Sequence, residues 1–476
     1  MVEMLSPEEA AKVERAFLQT DYGAKVWEEA GGLGMFQDIA EVAVLPKDYS
    51  VRKLVQDMAR EDEDGDPFYI VDLSVALRKL QLWRELMPRV KPFYAIKANP
   101  DPALCKMLAK GGCGFDCASQ DEIQQVLDMG CPPESVIYAN PCKQPSMLQY
   151  VREKGVFLMT ADNAVELDKI KEVFPEARVV LRIAVDDSKS VCRFNSKFGA
   201  DQATWKPLLM QIKRLGLEFA GVSFHVGSGC SDTQPFADAV ASAREVVDIA
   251  RGMGLNPTVL DLGGGFPGTD TGDYRFADVC ETLSKAIDKH FPAGCGLDIL
   301  AEPGRYFSTD CHTYVVQVIA KRRLTELQLD TEEETFGAAT NPPSEASEGE
   351  KSPLEKCPSG DGGGEIQHRD QKMDPEVALY VNDGVFGSFN CVVFDHAIIT
   401  PVPVFPPRDV RPVRTKIFGP TCDGIDVVMP LAKLPNLEMG NWLYFESMGA
   451  YTRCASSNYS GHGEYSVHYV WEEGCV

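Results

Sequence analysis

Residues 92–99 read PFYAIKAN, a short aromatic and aliphatic run that ends on a lysine and leads into loop-forming residues. A run of this length and composition is typical of a buried strand. Seven similar runs follow, separated by amphipathic helical stretches such as 119–129, 164–173 and 236–253. The eight predicted strands are residues 92–98, 114–118, 135–139, 156–160, 178–185, 219–226, 258–262 and 298–302. Strands that alternate with helices predict parallel βαβ units. Eight units in about 210 residues fit a (β/α)8 TIM-like barrel, with a doubly wound sheet as the rival fold.

The sequence after residue 305 has a different pattern, in which short strand-like runs are separated by Gly and Pro turns. These runs are residues 314–319, 377–381, 388–394, 414–418, 441–445 and 465–470. Strands without intervening helices predict an antiparallel β domain. We therefore expect an α/β chain with a helical lead-in over 1–35, strands over 36–72 that join the β domain, the barrel over 73–311 and the β domain over 312–476.

Residues 330–374 interrupt the β domain with sequence rich in Glu, Ser, Pro, Gly and Thr. Such a segment buries too little apolar surface to offset the entropy lost on ordering, so we predict a disordered acidic insertion. A tolerated insertion between two strands is the simpler interpretation. A degradation or phosphorylation segment is the alternative.

The overall composition favours a globular protein that binds small molecules. The chain has 71 Asp and Glu against 47 Lys and Arg, a formal charge of −24. A field of that sign repels nucleic acid and anionic membranes, and it attracts cations. The 15 cysteines form no CxxC pair, which argues against structural zinc or a disulfide framework, and we expect no metal site. No apolar run spans a membrane and no secretory signal opens the chain, so we expect a cytoplasmic protein.

Several chemically capable side chains stand at the predicted carboxyl ends of the barrel strands. They are Lys97, Asp116, Arg182, His225, Glu302 and Arg305, with glycine-rich loops at 227–229 and 263–265. Each alone has an ordinary structural explanation, such as a surface lysine or a satisfied core histidine. Active sites of (β/α)8 barrels form at these strand ends, and the shared placement therefore predicts a site.

The glycines that follow the seventh strand favour a single phosphate group over a dinucleotide. Gly263, Gly265 and Gly268 match G-x-G-x-x-G, but a loop follows where the dinucleotide motif requires a helix. Backbone amides, the Arg305 guanidinium and the Ser228 hydroxyl suit one phosphate monoester. A lysine, a phosphate cradle and an acid together suggest pyridoxal phosphate. Lys97 would bind the cofactor covalently, Glu302 would hold the pyridine nitrogen protonated and His225 would stack on the ring.

Seven sequence blocks closely resemble eukaryotic ornithine decarboxylases, which are barrel-type pyridoxal-phosphate decarboxylases of the alanine-racemase-like fold III. The blocks are 92–99 (PFYAIKAN), 114–119 (GFDCAS), 138–144 (YANPCKQ), 224–230 (FHVGSGC), 261–268 (DLGGGFPG), 301–306 (AEPGRY) and 419–424 (GPTCDG). The resemblance implies a homodimer with two active sites at the interface. It also implies decarboxylation of L-ornithine to putrescine, the first step of polyamine synthesis.

The resemblance assigns roles to matching positions. The implied cofactor-binding residues are Lys97, Asp116, Arg182, His225, Ser228, Gly264, Gly265, Glu302, Gly304, Arg305 and Tyr451. The implied catalytic residues are Lys97, His225, Glu302 and Cys422, of which Cys422 comes from the partner subunit and protonates the substrate Cα. Asp395 and Asp423 would receive the distal ammonium of the substrate, with Phe386 and Tyr459 lining its pocket. Lys197 and Asp426 match a salt bridge across the dimer.

Two alternatives remain open at this stage. Phe386 and Tyr459 stand where animal enzymes carry tyrosine and phenylalanine, so a lysine or other basic amino-acid decarboxylase is a rival. An inactive regulator that resembles antizyme inhibitor is the other. Such proteins lose cofactor or proton-donor residues, whereas this chain keeps Lys97, Arg305 and Cys422. Residues 143–171 match the antizyme-binding region and retain basic side chains.

Overall fold

The computed structural model describes residues 36, 39, 41–47, 49–62, 64–324, 375–407 and 411–475. The lead-in helix predicted over 1–35 and the insertion predicted over 330–374 lie outside these residues. Within them, no helix is both long and apolar enough to cross a membrane. The domain boundaries expected from the sequence stay a prediction.

The described part of the chain includes, ahead of the barrel, two strands that belong to the sheet of the β domain. They are β1 (Val42–Leu45) and β2 (Phe68–Asp72), with helix α1 (Val51–Glu61) between them. Ser50 caps this helix by accepting a hydrogen bond from the Lys53 amide. Helix α2 (Leu73–Leu86) then leads into the barrel.

Eight parallel strands close into the predicted barrel, so the doubly wound alternative is wrong. The barrel strands are β3 (Val90–Ala95), β4 (Gly114–Cys117), β5 (Val136–Tyr138), β6 (Leu158–Ala161), β7 (Arg178–Arg182), β9 (Glu218–Ser223), β11 (Val259–Asp261) and β12 (Asp298–Ala301). Each falls within or beside a run that the sequence predicted. Two short strands, β8 (Ser190–Cys192) and β10 (Ser228–Cys230), pair antiparallel outside the barrel.

Helices connect successive strands around the outside of the barrel. They are α3 (Pro102–Lys110), α4 (Gln120–Asp128), α5 (Pro145–Glu153), α6 (Ala164–Val173), α7 (Gln202–Leu215), α8 (Gln234–Gly252), α9 (Phe276–His290) and the single turn α10 (Arg305–Ser308). Side-chain caps define several starts: Asp101, Ser119 and Asn163 each accept backbone N–H groups of the first helical turn. Such caps satisfy donors that otherwise have no partner within the helix.

The β domain is confirmed and is mainly antiparallel. It comprises β13 (His312–Arg323), β14 (Val377–Val381), helix α11 (Asn390–Phe394), β15 (Val402–Pro403), β16 (Val413–Phe418), β17 (Val427–Leu434), β18 (Trp442–Phe445) and β19 (Ser466–Glu472). Five strand pairs are antiparallel, and three are parallel, between β1 and β19, β19 and β2, and β14 and β16. One hydrophobic core is continuous between the barrel and this sheet.

The strand predicted over 388–394 is wrong, because residues 390–394 form helix α11. The apolar, β-branched composition suggested extended structure. The carboxylate of Asp383, however, accepts the amide hydrogens of Gly384 and Ser388 and closes a turn ahead of the helix. The Asp395 amide donates back to the Cys391 carbonyl at 3.0 Å and completes the last helical turn. Local hydrogen bonding therefore overrides strand propensity here.

Candidate active site

A cavity of about 420 Å³ opens at the carboxyl ends of the barrel strands. Its lining includes six residues that the sequence placed in the cofactor site, namely Lys97, Asp116, Arg182, His225, Ser228 and Glu302. Tyr451 and Asp395 reach the same cavity from the β domain. The site is therefore built where both domains meet, over the end of the barrel that the fold predicts.

Lys97 lies in a single 3₁₀ turn, Ile96–Ala98, that follows strand β3. Its amine forms an ion pair with the Asp116 carboxylate at the end of the neighbouring strand. The lysine side chain is 40% exposed because it faces the cavity, whereas the Asp116 side chain is 2% exposed. Burial alone would lower the pKa of the Lys97 amine, but the carboxylates of Asp116 and Glu302 raise it above its usual range. The Asp116 carboxylate thus holds the Lys97 amine in place, and the negative charges of Asp116 and Glu302 keep it protonated.

Glu302 is a buried acid with a free acceptor at the end of strand β12. Its Oε1 atom is buried and has no hydrogen-bond partner. Asp261, at the end of β11, is its neighbour, and the Asp261 Oδ2 atom is likewise unpartnered. Burial and the carboxylates of Asp261 and Asp116 raise the pKa of Glu302 well above its usual value. Asp261 and Glu302 therefore keep a proton between them. A bound group that shares this proton with Glu302 fits at this position.

His225 is held as a neutral imidazole beside these acids. Its Nδ1 atom accepts the Gly227 amide hydrogen at 3.0 Å, which leaves the proton on Nε2. Burial, Arg182 and Lys97 lower the pKa of His225 well below its ordinary value. A Cβ atom at Gly264 would lie 2.7 Å from His225 Nε2, so a side chain there would displace the ring.

Arg305 and Ser228 form a basic cradle on the other side of the cavity. The Arg305 Nη2 atom donates to Ser228 Oγ at 2.7 Å. The guanidinium also donates to both carboxylate oxygens of Asp395, at 2.7 and 3.1 Å, and lies 5.0 Å from the centre of the Tyr451 ring. Gly265 has φ +105°, and a Cβ atom there would lie 2.6 Å from Val226 Cγ2. A guanidinium beside a hydroxyl and a glycine-rich loop suits a phosphate group.

Eight residues predicted to act at the site do not line this cavity. Four of them, Gly264, Gly265, Gly304 and Arg305, belong to the predicted cofactor set and lie directly behind lining residues. The other four are the predicted proton donor and three predicted substrate-binding residues. Cys422 is exposed, and so is Asp423, on the turn between β16 and β17. Phe386 and Tyr459 stack on each other, with ring centres 4.4 Å apart. The single chain thus assembles the proposed cofactor residues but not the proposed proton donor.

The predicted dimer pair, Lys197 and Asp426, is also apart within the chain. Lys197 is exposed, with its amine 4.9 Å from the centre of the Phe198 ring. Asp426 is 1% exposed and accepts hydrogen bonds from the Val385 amide, the Thr421 amide and the Thr421 hydroxyl. Asp426 therefore organises its own turn, and its pairing with Lys197 of a second subunit stays a prediction.

Some residues of the site were not singled out from the sequence. Asp261 had a usable signal, since it is an acid at the end of the seventh strand and follows the same rule as Glu302. Other lining residues come from loops, namely Asn140, Pro141, Phe194 and Phe198, from strand β8, namely Cys192, and from helix α11, namely Asn390 and Phe394. Loop and helix residues of this kind carry no periodic pattern that would mark them.

Comparisons with known proteins agree with this geometry. A family model described as "Pyridoxal-dependent decarboxylase, pyridoxal binding domain" matches residues 73–309. The chain is 39% identical over 431 residues to the ornithine decarboxylase of Rattus norvegicus, which covers 90% of this chain and 86% of that protein. It is 41% identical over 426 residues to antizyme inhibitor 2 of Xenopus laevis, covering 89% and 85%.

Solved structures of basic amino-acid decarboxylases share the fold. The arginine decarboxylase of Paramecium bursaria Chlorella virus aligns with a TM-score of 0.75 and 30% identity, over 88% of this chain and 100% of that chain. The lysine decarboxylase of Selenomonas ruminantium aligns with a TM-score of 0.72 and 27% identity, over 89% and 97%.

The residues of the cavity fit pyridoxal phosphate in three independent respects. Glu302 has an unpartnered buried oxygen that would suit a ring nitrogen, Arg305 and Ser228 have donors that would suit a phosphate, and the Lys97 amine at the cavity would suit an aldehyde. The identity to curated relatives extends over nine-tenths of the chain. This protein therefore belongs to the family of pyridoxal-phosphate-dependent decarboxylases that includes the ornithine decarboxylases.

Proposed function

We propose that this chain decarboxylates L-ornithine to putrescine, the first step of polyamine synthesis, as a homodimer with shared active sites. The observation that carries the proposal is one cavity that presents both the Lys97 amine and the Asp395 carboxylate. A lysine that binds the cofactor and an acid that binds a distal ammonium are what decarboxylation of a basic amino acid requires. Several ornithine decarboxylases among the relatives support the choice of ornithine.

The chain's own residues would hold the cofactor and its protons. Pyridoxal phosphate, when bound, supplies an electron sink for the electron pair left when carbon dioxide departs. Glu302 would share its proton with the pyridine nitrogen, which would strengthen that sink, and neutral His225 would cover the ring without adding charge. Gly264, Gly265 and Gly304 pack against His225, Val226 and Ala98, so a side chain at any of them would displace residues around the proposed cofactor site. Arg305, Ser228 and Tyr451 hold the phosphate.

The Arg305–Asp395 ion pair makes substrate binding depend on the cofactor. The Arg305 guanidinium binds both oxygens of Asp395 in the chain described here. A phosphate dianion competes for the same guanidinium, because it offers stronger acceptors. Asp395 then becomes available to the distal ammonium of the substrate. Asp116 remains at the wall of the cavity and balances the charge of Lys97, and Arg182 lines the same wall.

A second subunit would complete the site. Cys422 and Asp423 are exposed on the β16–β17 turn. Ile425 on that turn is 65% exposed, and Phe394, at the cavity, is 71% exposed. Exposed apolar side chains around functional groups are typical of an interaction surface. In the proposed dimer the partner's turn enters the cavity, where its Cys422 donates a proton to the substrate Cα and its Asp423 joins Asp395.

Lysine is the alternative substrate. It is one methylene longer than ornithine, and one methylene changes binding by only about 1–3 kcal/mol. The arginine and lysine decarboxylases that share this fold show that the architecture serves several basic substrates. Phe386 and Tyr459, which differ from the animal enzymes, are the proposed pocket residues where a preference for lysine would arise.

An inactive regulator is a second candidate, favoured by the 41% identity to antizyme inhibitor 2 of Xenopus laevis. Within residues 143–171, the basic side chain of Lys143 is not available to a partner. It is buried, and its amine lies 3.0 Å from Glu166 and donates to the Thr160 carbonyl. Antizyme binding would depend on the exposed Arg152, which pairs with Glu176, and on the half-buried Lys154, Lys169 and Lys171.

The deciding experiment measures labelled carbon dioxide released from carboxyl-labelled ornithine and lysine, with and without added pyridoxal phosphate. We expect cofactor-dependent release from ornithine that exceeds release from lysine. Equal or greater release from lysine would contradict the substrate assignment but keep the chemistry. No release from either, by a folded protein that binds the cofactor, would favour another amino acid or the regulatory function. Binding to a purified antizyme would then separate these two.

A further inference from the structure

A segment of the β domain, residues 447–453, packs directly on the residues that follow Lys97. The Tyr451 amide donates to the Ala98 carbonyl at 2.9 Å, and the Asn99 side-chain amide donates to the Gly449 carbonyl at 2.8 Å. The turn that carries Lys97 and the segment that carries Tyr451 are therefore hydrogen-bonded to each other.

Tyr451 has a backbone conformation that needs external support. Its φ is +55°, in the left-handed region that side chains other than glycine rarely adopt. Conformations of this kind persist only where the surroundings fix them, and they cluster at functional sites. The side chain lies over Arg305 and lines the cavity, so the strained conformation places an aromatic ring at the phosphate cradle.

A buried ion pair between Arg453 and Asp101 lies next to this contact. Arg453, two residues after Tyr451, donates from Nη1 to Asp101 Oδ2 at 2.8 Å. Asp101 lies four residues after Lys97, and its side chain is 0% exposed, whereas that of Arg453 is 17% exposed. The ion pair thus ties the β domain segment to the barrel immediately behind the two residues that face the cofactor.

The Asp101 carboxylate makes further contacts in addition to this ion pair. Its Oδ1 atom caps helix α3 by accepting the amides of Ala103 and Leu104 at 3.1 and 3.0 Å. Its Oδ2 atom also accepts the Tyr469 hydroxyl at 2.8 Å. Asp101 is therefore fixed in position by the barrel helix and by strand β19.

Aromatic residues of the β domain hold the guanidinium of Arg453. It donates from Nε to the Tyr465 hydroxyl at 3.2 Å and lies 5.6 and 5.2 Å from the centres of the Tyr69 and Tyr465 rings. A buried ion pair with fixed partners gives little net stability compared with an apolar replacement. Its geometry, by contrast, is specific, and this points to a positioning role.

We propose that Asp101 and Arg453 are positioning residues of the cofactor site. Their ion pair holds Tyr451 in its left-handed conformation over Arg305, beside the turn that carries Lys97. Neither residue lines the cavity, so their effect on the cofactor passes through Tyr451. The inference uses the pyridoxal-phosphate site and does not depend on ornithine as the substrate.

The test titrates the protein with pyridoxal phosphate and follows the visible absorbance of the bound cofactor, with Arg453→Met as the main variant. We expect the Kd for the cofactor to rise by about tenfold or more, and Arg453→Lys to recover part of the loss. Arg78→Met is the matched control, because Arg78 joins helix α2 to Glu472 of strand β19 at 2.5 Å and neither residue lines the cavity. This control should lower the thermal midpoint but leave the Kd unchanged.

A double-mutant cycle with Tyr451→Ala tests the proposed route. If Arg453 acts through Tyr451, then Arg453→Met should change the Kd little in the Tyr451→Ala background. Should Arg453→Met fail to fold, Asp101→Asn replaces it, since asparagine still caps helix α3 but cannot pair with the guanidinium. An unchanged Kd in the folded variant, an equal change in Arg78→Met, or additive effects in the cycle would overturn the proposal.

Discussion

The rim of the barrel and the β16–β17 turn carry the two halves of the proposed site, and they differ in how complete they are. At the rim, Lys97, Glu302 and Ser228 line one cavity within a single chain, and Arg305 donates to Ser228 from behind it. At the turn, Cys422 and Asp423 are exposed. In a closed barrel, backbone pairing between strands fixes the positions of the strand ends. The residues of an exposed turn, by contrast, can act only when a second subunit binds against them. The cofactor half is thus intrinsic to the fold, and the proton-donor half needs assembly.

The turn is nevertheless built rigidly, through the buried carboxylate of Asp426. This carboxylate accepts the Thr421 hydroxyl at 2.7 Å and the Val385 amide at 2.8 Å. A Cβ atom at Gly384 or Gly419 would lie 2.1 or 2.3 Å from Asp426 Oδ1, so both positions require glycine. Cys422 and Asp423 are therefore displayed on a preformed turn, which lowers the entropy cost of bringing them into a partner's cavity.

Replacing Lys97 should have the largest effect, because it removes the amine from the intrinsic half. For Lys97→Ala we expect carbon dioxide release to fall by about 10³-fold or more, equivalent to about 4 kcal/mol of transition-state stabilisation. The visible band of covalently bound cofactor should also disappear. Release is measured at saturating substrate, and the band by absorbance.

Lys91→Ala is the matched control for this variant. Lys91 belongs to the same strand, β3, and is exposed, but it does not line the active-site cavity. It should keep both the activity and the band. Retained activity in Lys97→Ala would mean that the rim does not hold the cofactor in the proposed way.

Replacing Cys422 should have the next largest effect, because it removes only the proton donor. For Cys422→Ala we expect a fall of about 10²-fold in carbon dioxide release or in correctly protonated amine, a usual contribution of a general acid. The Kd for the cofactor should not change, since Cys422 lies outside the cavity of its own chain. Cys142→Ala, which alters another exposed cysteine, should be active.

Mixing the two inactive variants tests whether the halves come from different subunits. In a mixed dimer, the Cys422→Ala chain supplies Lys97 and the Lys97→Ala chain supplies Cys422, which restores one of the two sites. Random exchange of subunits makes half of the dimers mixed, so about a quarter of the original activity should return. No recovery, despite subunit exchange shown by differently tagged chains, would place Lys97 and Cys422 in the same chain.

The contrast between the two regions also explains what the sequence could predict. The barrel was predictable because alternating strands and helices leave few topologies, and acids and bases at strand ends must then share one face. The helix at 390–394 was not predictable from an apolar, β-branched run, since a single carboxylate, that of Asp383, turns the chain ahead of it. Strand β17 was missed as well, because its Pro430 and mixed polarity hide the alternation.

The sequence also could not predict which charged side chains pair with each other once the chain has folded. Nothing in the sequence indicates that Asp426 is turned inward, or that Arg305 pairs with Asp395 across the two domains. Both arrangements depend on the packing of loops from distant parts of the chain. The resemblance to a known family supplied roles for these residues, but it could not supply their partners.

The smallest expected effect is on the pH dependence of the free energy of unfolding, to which the buried acids Asp261 and Glu302 contribute. Burial raises the pKa of Asp261 to about 7, whereas an unfolded aspartate titrates near 3.9. Between about pH 4 and pH 7 the folded protein therefore binds more protons than the unfolded chain. The contribution of this group to stability is complete below about pH 4 and is lost as the pH rises through 7.

Asp261→Asn should reduce this dependence, since the side-chain amide cannot ionise. Between pH 5 and pH 7.5, we expect the protein without added cofactor to lose about 1–3 kcal/mol more of its free energy of unfolding than the variant does. Denaturant titrations at the two pH values measure the difference, and Asp273→Asn, at an exposed acid, should behave as the unmodified chain does. Added pyridoxal phosphate should flatten the profile of the unmodified protein, because a protonated ring nitrogen against Glu302 compensates the second negative charge. If the cofactor leaves the pH profile unchanged, Asp261 and Glu302 do not face the ring of pyridoxal phosphate. The half of the site built by one chain would then be less complete than its geometry indicates.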